Sequence, residues 1–209
     1  MIKKIYKFLI LLRGFDDYFY REIDVSSDCT LSELYYIILS SFDMISDKDF
    51  SNRKCKCCST KCNFVNPKTK SFDNLPLKKI GIELGSRFQM VCNCNGTYIF
   101  DLQVDDCKIM PLGKSKDYPK IIYGKGKGIF PYATPEEFQK YFDSHKEKDE
   151  TEIKCSFPTG DLEIWDYTDY DLDADNSRLK RNIEYLKTIS LHRDVSLFST
   201  GNKSVSFAI

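Results

Sequence analysis

The stretch Lys3-Lys-Ile-Tyr-Lys-Phe-Leu-Ile-Leu-Leu-Arg13, followed by Tyr18 to Val25 and by Thr30-Leu-Ser-Glu-Leu-Tyr-Tyr-Ile-Ile-Leu39, decides the fold. Residues 3–13 are mostly apolar, β-branched or aromatic, and read as a buried strand. Gly14-Phe-Asp-Asp17 supplies turn residues. Tyr18, Tyr20, Ile23 and Val25 then alternate loosely, which predicts a second strand and a hairpin. Thr30-Leu-Ser-Glu33 matches a capping box, with the Thr30 hydroxyl on the N3 amide and Glu33 reaching back. Leu31, Leu34, Tyr35, Ile38 and Leu39 recur at helical spacing, so a helix runs to about Phe42. Strand, strand, amphipathic helix is an α+β opening of β-grasp type.

Working outward, Arg87 to Cys94 and Thr97 to Val104 read as two strands around Asn95-Gly96, a strong short hairpin signal. Cys107 to Met110 suggests a further short strand. Residues 111–132 carry Pro111, Pro119, Pro131 and Gly124-Lys-Gly-Lys-Gly128, and read as a long loop. Thr134-Pro-Glu-Glu137 opens a helix with Thr as cap and Pro at N1, whose apolar face is Phe138, Tyr141 and Phe142. Ser144 to Lys154 is charged and expected to be exposed. A last helix is predicted over 177–190, with Leu179, Ile183 and Leu186 inward. The expectation is one α+β domain over residues 1–190, with a mixed or mostly antiparallel sheet and two further helices. A Cys/Lys-rich insertion occupies about 46–78, and 191–209 form a C-terminal extension.

Composition narrows the function classes. Among 209 residues, Lys+Arg and Asp+Glu both number 31, which excludes a general polyanion binder while leaving room for local patches. The apolar run Phe8 to Leu12 is too short for a signal sequence and is ended by Arg13. Nothing approaches a membrane span, so a cytoplasmic protein with no membrane partner is expected, with thiols kept reduced.

Two cysteine clusters carry the clearest chemical potential. Cys55, Cys57, Cys58 and Cys62 form one, and Cys92 and Cys94 the other. Cys55 and Cys58 have the gap of a zinc knuckle, and Cys92 and Cys94 would share a face of one strand. Together the two pairs would make a structural tetrathiolate zinc site that pins the insertion to the sheet. Reduced free thiols, acting as small hydrophobes, account for the same clusters. An odd count of nine cysteines argues against complete disulfide pairing.

Between Arg53 and Lys79 there are eight Lys/Arg and one acidic residue, Asp73. Arg53, Lys54, Lys56 and Lys61, with Lys125 and Lys127, are the candidates for a phosphate-contacting face, with Phe64 and Phe72 available for stacking. Solvated lysine loops are the plainer account. The glycine–lysine run 124–128 fails the P-loop spacing and reads as a flexible basic loop. Asp161 to Asp175, with seven acidic residues, lacks EF-hand spacing and reads as an acidic loop whose Asp side chains cap the last helix. No nucleophile motif or acid–base pair stands out, and His145 and His192 are the chain's histidines. The leading reading is therefore a non-enzymatic interaction module with a protein partner. The alternative is a zinc-stabilised nucleic-acid-binding protein.

The order of several segments resembles the plasmid pRiA4b ORF-three-like family, whose members are sometimes labelled transposable-element passenger proteins. The segments are Ile5 to Gly14, Thr30 to Ile38, Gly85-Ser-Arg-Phe88, Tyr118-Pro-Lys-Ile-Ile-Tyr-Gly124, Tyr132 to Tyr141 with Pro135-Glu-Glu-Phe138, and Tyr170-Asp-Leu-Asp173 with Asn176 and Leu179. The resemblance covers roughly residues 3–187. It implies an α+β fold and an accessory role on a mobile element or phage, and no particular activity or cofactor. The chain departs from the family's usual Trp-bearing hairpin where it carries Cys92 to Tyr98, and from its Cys and acidic pattern between Gly124 and Pro131.

Overall fold

The computed structural model describes residues 3–44, 63–65, 75–93, 96–129, 133–148, 152–156 and 162–192. Strand β1 (Lys4–Leu12) and strand β2 (Tyr20–Ser26) form the expected hairpin, and helix α1 (Leu31–Ser41) follows. Then come β3 (Asn63–Val65), β4 (Arg87–Cys92), β5 (Tyr98–Ile109) and β6 (Lys120–Lys125). Helix α2 (Pro135–Lys148), the hairpin strands β7 (Glu152–Ser156) and β8 (Leu162–Asp166), and helix α3 (Leu172–His192) complete the order. The main sheet has six strands in the order β3-β4-β5-β1-β2-β6, and every pairing is antiparallel. The fold is α+β.

Strand alternation sorts the sheet into two faces. Phe8, Ile10 and Leu12 of β1 share one face with Ile23 and Val25 of β2 and with Phe100, Leu102 and Val104 of β5, and all are buried. Helix α1 packs on this face. Its N-terminus is held as expected: the Thr30 hydroxyl accepts from the Glu33 amide, and Glu33 accepts from the Thr30 amide at 2.8 Å. Its C-terminus closes with Asp43 at φ 57°. There the amides of Met44 and Asp43 donate to Leu39 and Ser40, a Schellman arrangement. Tyr36 and Ile37, off the expected apolar face, are buried as well, because α1 also packs against α3. Helix α3 thus lies against both α1 and the edge strand β6.

Helix α2 closes one end. Phe138 and Phe142 are buried among Phe15, Phe19 and Tyr18, with ring centroids 4.7–5.8 Å apart. Tyr141, expected inward, is exposed, since two aromatic positions one turn apart already fill that side.

Four expectations require correction. The loop 111–132 contains β6: Pro119 stands just before an edge strand, where a missing amide costs no ladder bond. Cys107 to Met110 is no separate strand, since β5 runs on to Ile109 through a bulge near Asp105 and Asp106. The acidic stretch 161–175 holds β8 and the first turn of α3, and β7 follows α2 where a charged surface run was expected. Helix α3 begins at Leu172 because the Asp171 carboxylate accepts from the amides of Asp173 and Ala174 at 2.9 and 3.0 Å. This is the Asp capping expected for that stretch, placed earlier in the chain.

Candidate functional site

The zinc candidates divide. Cys55, Cys58 and Cys94 lie outside the described residues, as do Cys57 and Cys62. Cys92 is described. It ends β4 opposite Tyr98, on the core face, with no exposed surface. Its sulfur lies 3.8 Å from the Tyr35 hydroxyl. Any metal held through Cys92 would have to sit on the helix-covered side of the sheet. Among the described residues, no group of three or more His, Cys, Asp or Glu side chains is placed to hold a metal ion.

The basic candidates divide likewise. Arg53, Lys54, Lys56 and Lys61 lie outside the described residues. Lys125 donates to the Asp17 carbonyl at 2.6 Å and lies over the Tyr18 ring, and Lys127 pairs with Asp169 at 2.9 Å. Both are committed within the chain. Their loop is packed. Gly124 is in β6, and a side-chain carbon there would meet the Tyr170 hydroxyl at 2.6 Å and the Arg21 Cδ at 2.8 Å. Gly126 takes φ +78° against the Tyr18 carbonyl and the Phe19 ring, a conformation that glycine alone adopts at no steric cost. Close packing against Arg21, Tyr170 and Phe19 corrects the flexible-loop reading.

Sequence reasoning missed an elaborate buried polar centre among the described residues. Arg21 lies on the inward face of β2 beside Ile23 and Val25 and is fully buried. Its Nε donates to the Ser41 carbonyl at the end of α1 (3.0 Å). One Nη reaches the Tyr20 and Lys125 carbonyls (2.9 and 2.7 Å), and the other the Gly126 carbonyl (2.8 Å). That second Nη also lies 3.2 Å from the Asp175 carboxylate of α3. The guanidinium sits between the Phe42 and Tyr170 rings, 4.9 and 4.5 Å from their centroids. Its planar fork supplies donors in the directions these acceptors require. Burial pulls the Arg21 pKa down while Asp175 and Tyr170 pull it back up. Burial likewise pushes the Tyr170 phenol up to about 12. Arg178 supports the centre, pairing with Asp175 at 2.7 Å and Asp43 at 3.2 Å. A charged residue at an inward strand position was the available signal.

Asn176 adds a second tie. Its side-chain amide accepts from the Ile121 amide and donates to the Ile121 carbonyl, both at 2.9 Å. It thus occupies the outer edge of β6 as a neighbouring strand would. The Arg21 centre acts as a fastener: guanidinium hydrogen bonds tie β2 to the end of α1 and to residues 125–126, while the buried Tyr170 hydroxyl and Asp175 Oδ2 have no hydrogen-bond partner among the described residues.

Two surfaces remain. The first is a cleft of about 180 Å³ between the end of β2, the first turns of α1, the Tyr118–Pro119 segment and Ile183 of α3. Asp28 and Glu33 lie on its wall. Asp28 is bonded by Lys78 and Lys3, which hold its carboxyl below the usual range. The second is the sheet face opposite the core. Among the described residues no helix packs there. Register flanks Leu9 of β1 with Glu22 and Gln103, and Leu11 with Tyr20 and Asp101. Tyr123 lies beyond Glu22, and Val91 and Ile99 pair with each other on β4 and β5. Tyr123 is 54% exposed, and Leu9, Leu11, Tyr20, Val91 and Ile99 are part-buried. The rim is charge-paired, Lys7 with Glu22, Arg13 with Asp101, and Lys108 with Asp24.

No family model matches the chain, and no curated protein matches it. The structure is similar to the crystal structure of a protein of unknown function, MM3350 from Methanosarcina mazei Go1. The match has 15% sequence identity and a TM-score of 0.54, and covers 70% of this chain and 84% of that one. The likeness extends to the fold. No helix among the described residues is long and apolar enough to cross a membrane.

Proposed function

We propose that the chain is a non-enzymatic interaction module that binds a folded protein partner through the helix-free face of its six-stranded sheet. The observation that supports this reading is the make-up of that face, where Leu9, Leu11, Tyr20 and Tyr123 lie among paired charges. Interfaces between proteins have this make-up, with aromatic side chains as anchors. The paired charges also fit a protein better than a polyanion, because Lys7, Arg13 and Lys108 already have carboxylate partners. Nucleic-acid binding, the alternative, would have to draw its phosphate contacts from elsewhere, since Lys125 and Lys127 are also engaged. The resemblance to the plasmid pRiA4b ORF-three-like family extends the reading to an accessory protein of a mobile element or phage. A structural zinc on the cysteine clusters is compatible with this function and not required by it.

The test is affinity capture from native cells with the wild type and a Leu11→Lys/Tyr123→Ser variant, each first shown to unfold cooperatively. A protein retained by the wild type and lost from the variant is expected. Equal retention by both would refute the face. A mobility shift with nucleic acid that weakens steeply with salt would replace this reading with phosphate contact.

A further inference from the structure

We propose that the cleft between α1, α3 and the Tyr118–Pro119 segment binds a small organic cation, an ammonium group on an apolar stem. The site is separate from the sheet face above and does not rest on it. Its walls supply what such a ligand needs. Ile37 of α1 and Ile183 of α3 provide apolar surface, and Tyr36, Tyr118 and Pro119 provide flat faces against which a ring or chain can lie. A cation near tyrosine faces gains from the negative ring centre. The volume, about 180 Å³, suits a small molecule and is too small for a folded element.

Glu33 selects the sign of the ligand. Among the described residues no lysine or arginine lines the cleft. Asp28 is already bonded by Lys3 and Lys78. Glu33 is half-buried and has no cationic partner among the described residues. Its Oε2 accepts from the Thr30 amide and hydroxyl at 2.8 and 3.2 Å, and its Oε1 has no hydrogen-bond partner among the described residues. A partly desolvated carboxylate with a free oxygen beside apolar walls is stabilised by an ammonium donor.

The experiment titrates the full chain with 2-phenylethylammonium and, in parallel, with phenylacetate, which has the same body and the opposite charge. Methyl resonances of Ile37 and Ile183 report on the walls. Saturable shifts at both residues are expected with the amine at about millimolar concentration, and none with phenylacetate. Glu33→Gln removes the charge while keeping a side-chain oxygen for the capping box, so the helix is retained and the amine binds roughly ten-fold more weakly. Absence of saturable shifts at Ile37 and Ile183 would overturn the site. Equal binding of phenylacetate, or equal affinity of the Gln variant, would overturn the ligand class. The two wild-type titrations decide between these outcomes whether or not the variant folds.

Discussion

Replacing Arg21 by Met tests whether the buried guanidinium holds the layers together. The substitution keeps an unbranched stem of similar reach and removes every donor. Four carbonyls lose a partner: Ser41 and Gly126, whose bonds are buried, and Tyr20 and Lys125, whose bonds are half-buried. Each buried acceptor left bare costs about 1 kcal/mol or more. Removing one member of a buried ion pair typically costs about 3–5 kcal/mol. Here Arg178 still reaches Asp175 at 2.7 Å, which moderates the penalty, and part of the loss returns through the apolar Met between Phe42 and Tyr170. The expected loss is about 3 kcal/mol, a large share of the roughly 5–15 kcal/mol that stabilises a domain. Arg21→Lys keeps the charge without the fork and should lose about 2 kcal/mol. Urea unfolding followed by far-ultraviolet circular dichroism measures both, with the dependence on urea unchanged. A Met variant within about 1 kcal/mol of the wild type would refute the claim that the centre fastens α3 and β6 to the sheet.

Gly124→Ala should destabilise by about 1–3 kcal/mol, because the new carbon meets the Tyr170 hydroxyl and Arg21 with no space to yield; an unchanged urea midpoint would contradict this. Asn176→Ala should cost about 1 kcal/mol and speed hydrogen exchange at the Ile121 amide more than at Ile23; uniform exchange would show the edge is held by other means. The raised Tyr170 pKa, about 12 against about 10 unfolded, gives stability that is full below pH 10 and lost as pH rises from about 10 to 12. Tyr170→Phe should flatten that part of the pH–stability curve, and a curve unchanged by the substitution would contradict the assignment. Cys92→Ala should act as a core truncation costing about 1 kcal/mol with zinc content unchanged; a fall in zinc per chain would instead make Cys92 a ligand.

The elements legible in the sequence were those whose signals are local. The Thr30–Glu33 box and the β1–β2 alternation lie within a few residues, and both are found where expected. Strand β6 was not legible, since Pro119 and Gly124 act as breakers unless one knows that the strand lies at an edge and that Tyr170 and Arg21 crowd Gly124. Helix α3 could be extended to Leu172 only by seeing that Asp171 caps it and that Asp175 faces Arg21. The segments Tyr118 to Gly124 and Tyr170 to Leu179 meet across β6 and α3, where Asn176 and Tyr170 help fasten helix to sheet. The two proposed surfaces were illegible for a similar reason. Leu9, Leu11 and Tyr123 form one face only through strand register, and the cleft joins residues 25–37, 118–119 and 183, three segments far apart in the sequence.

The Arg21 centre also orders events during synthesis. The strand that carries Arg21 is made early, whereas Tyr170, Asp175 and Asn176 belong to the last quarter of the chain. At about 5–20 residues per second, the nascent hairpin waits on the order of ten seconds for the carboxylate that faces its buried guanidinium. Until then β1, β2 and α1 can collapse, but the guanidinium keeps the inner face of β2 hydrated and unsealed. A chain ended before α3 therefore lacks the Asp175 carboxylate and the Tyr170 ring that flank the guanidinium in the folded protein.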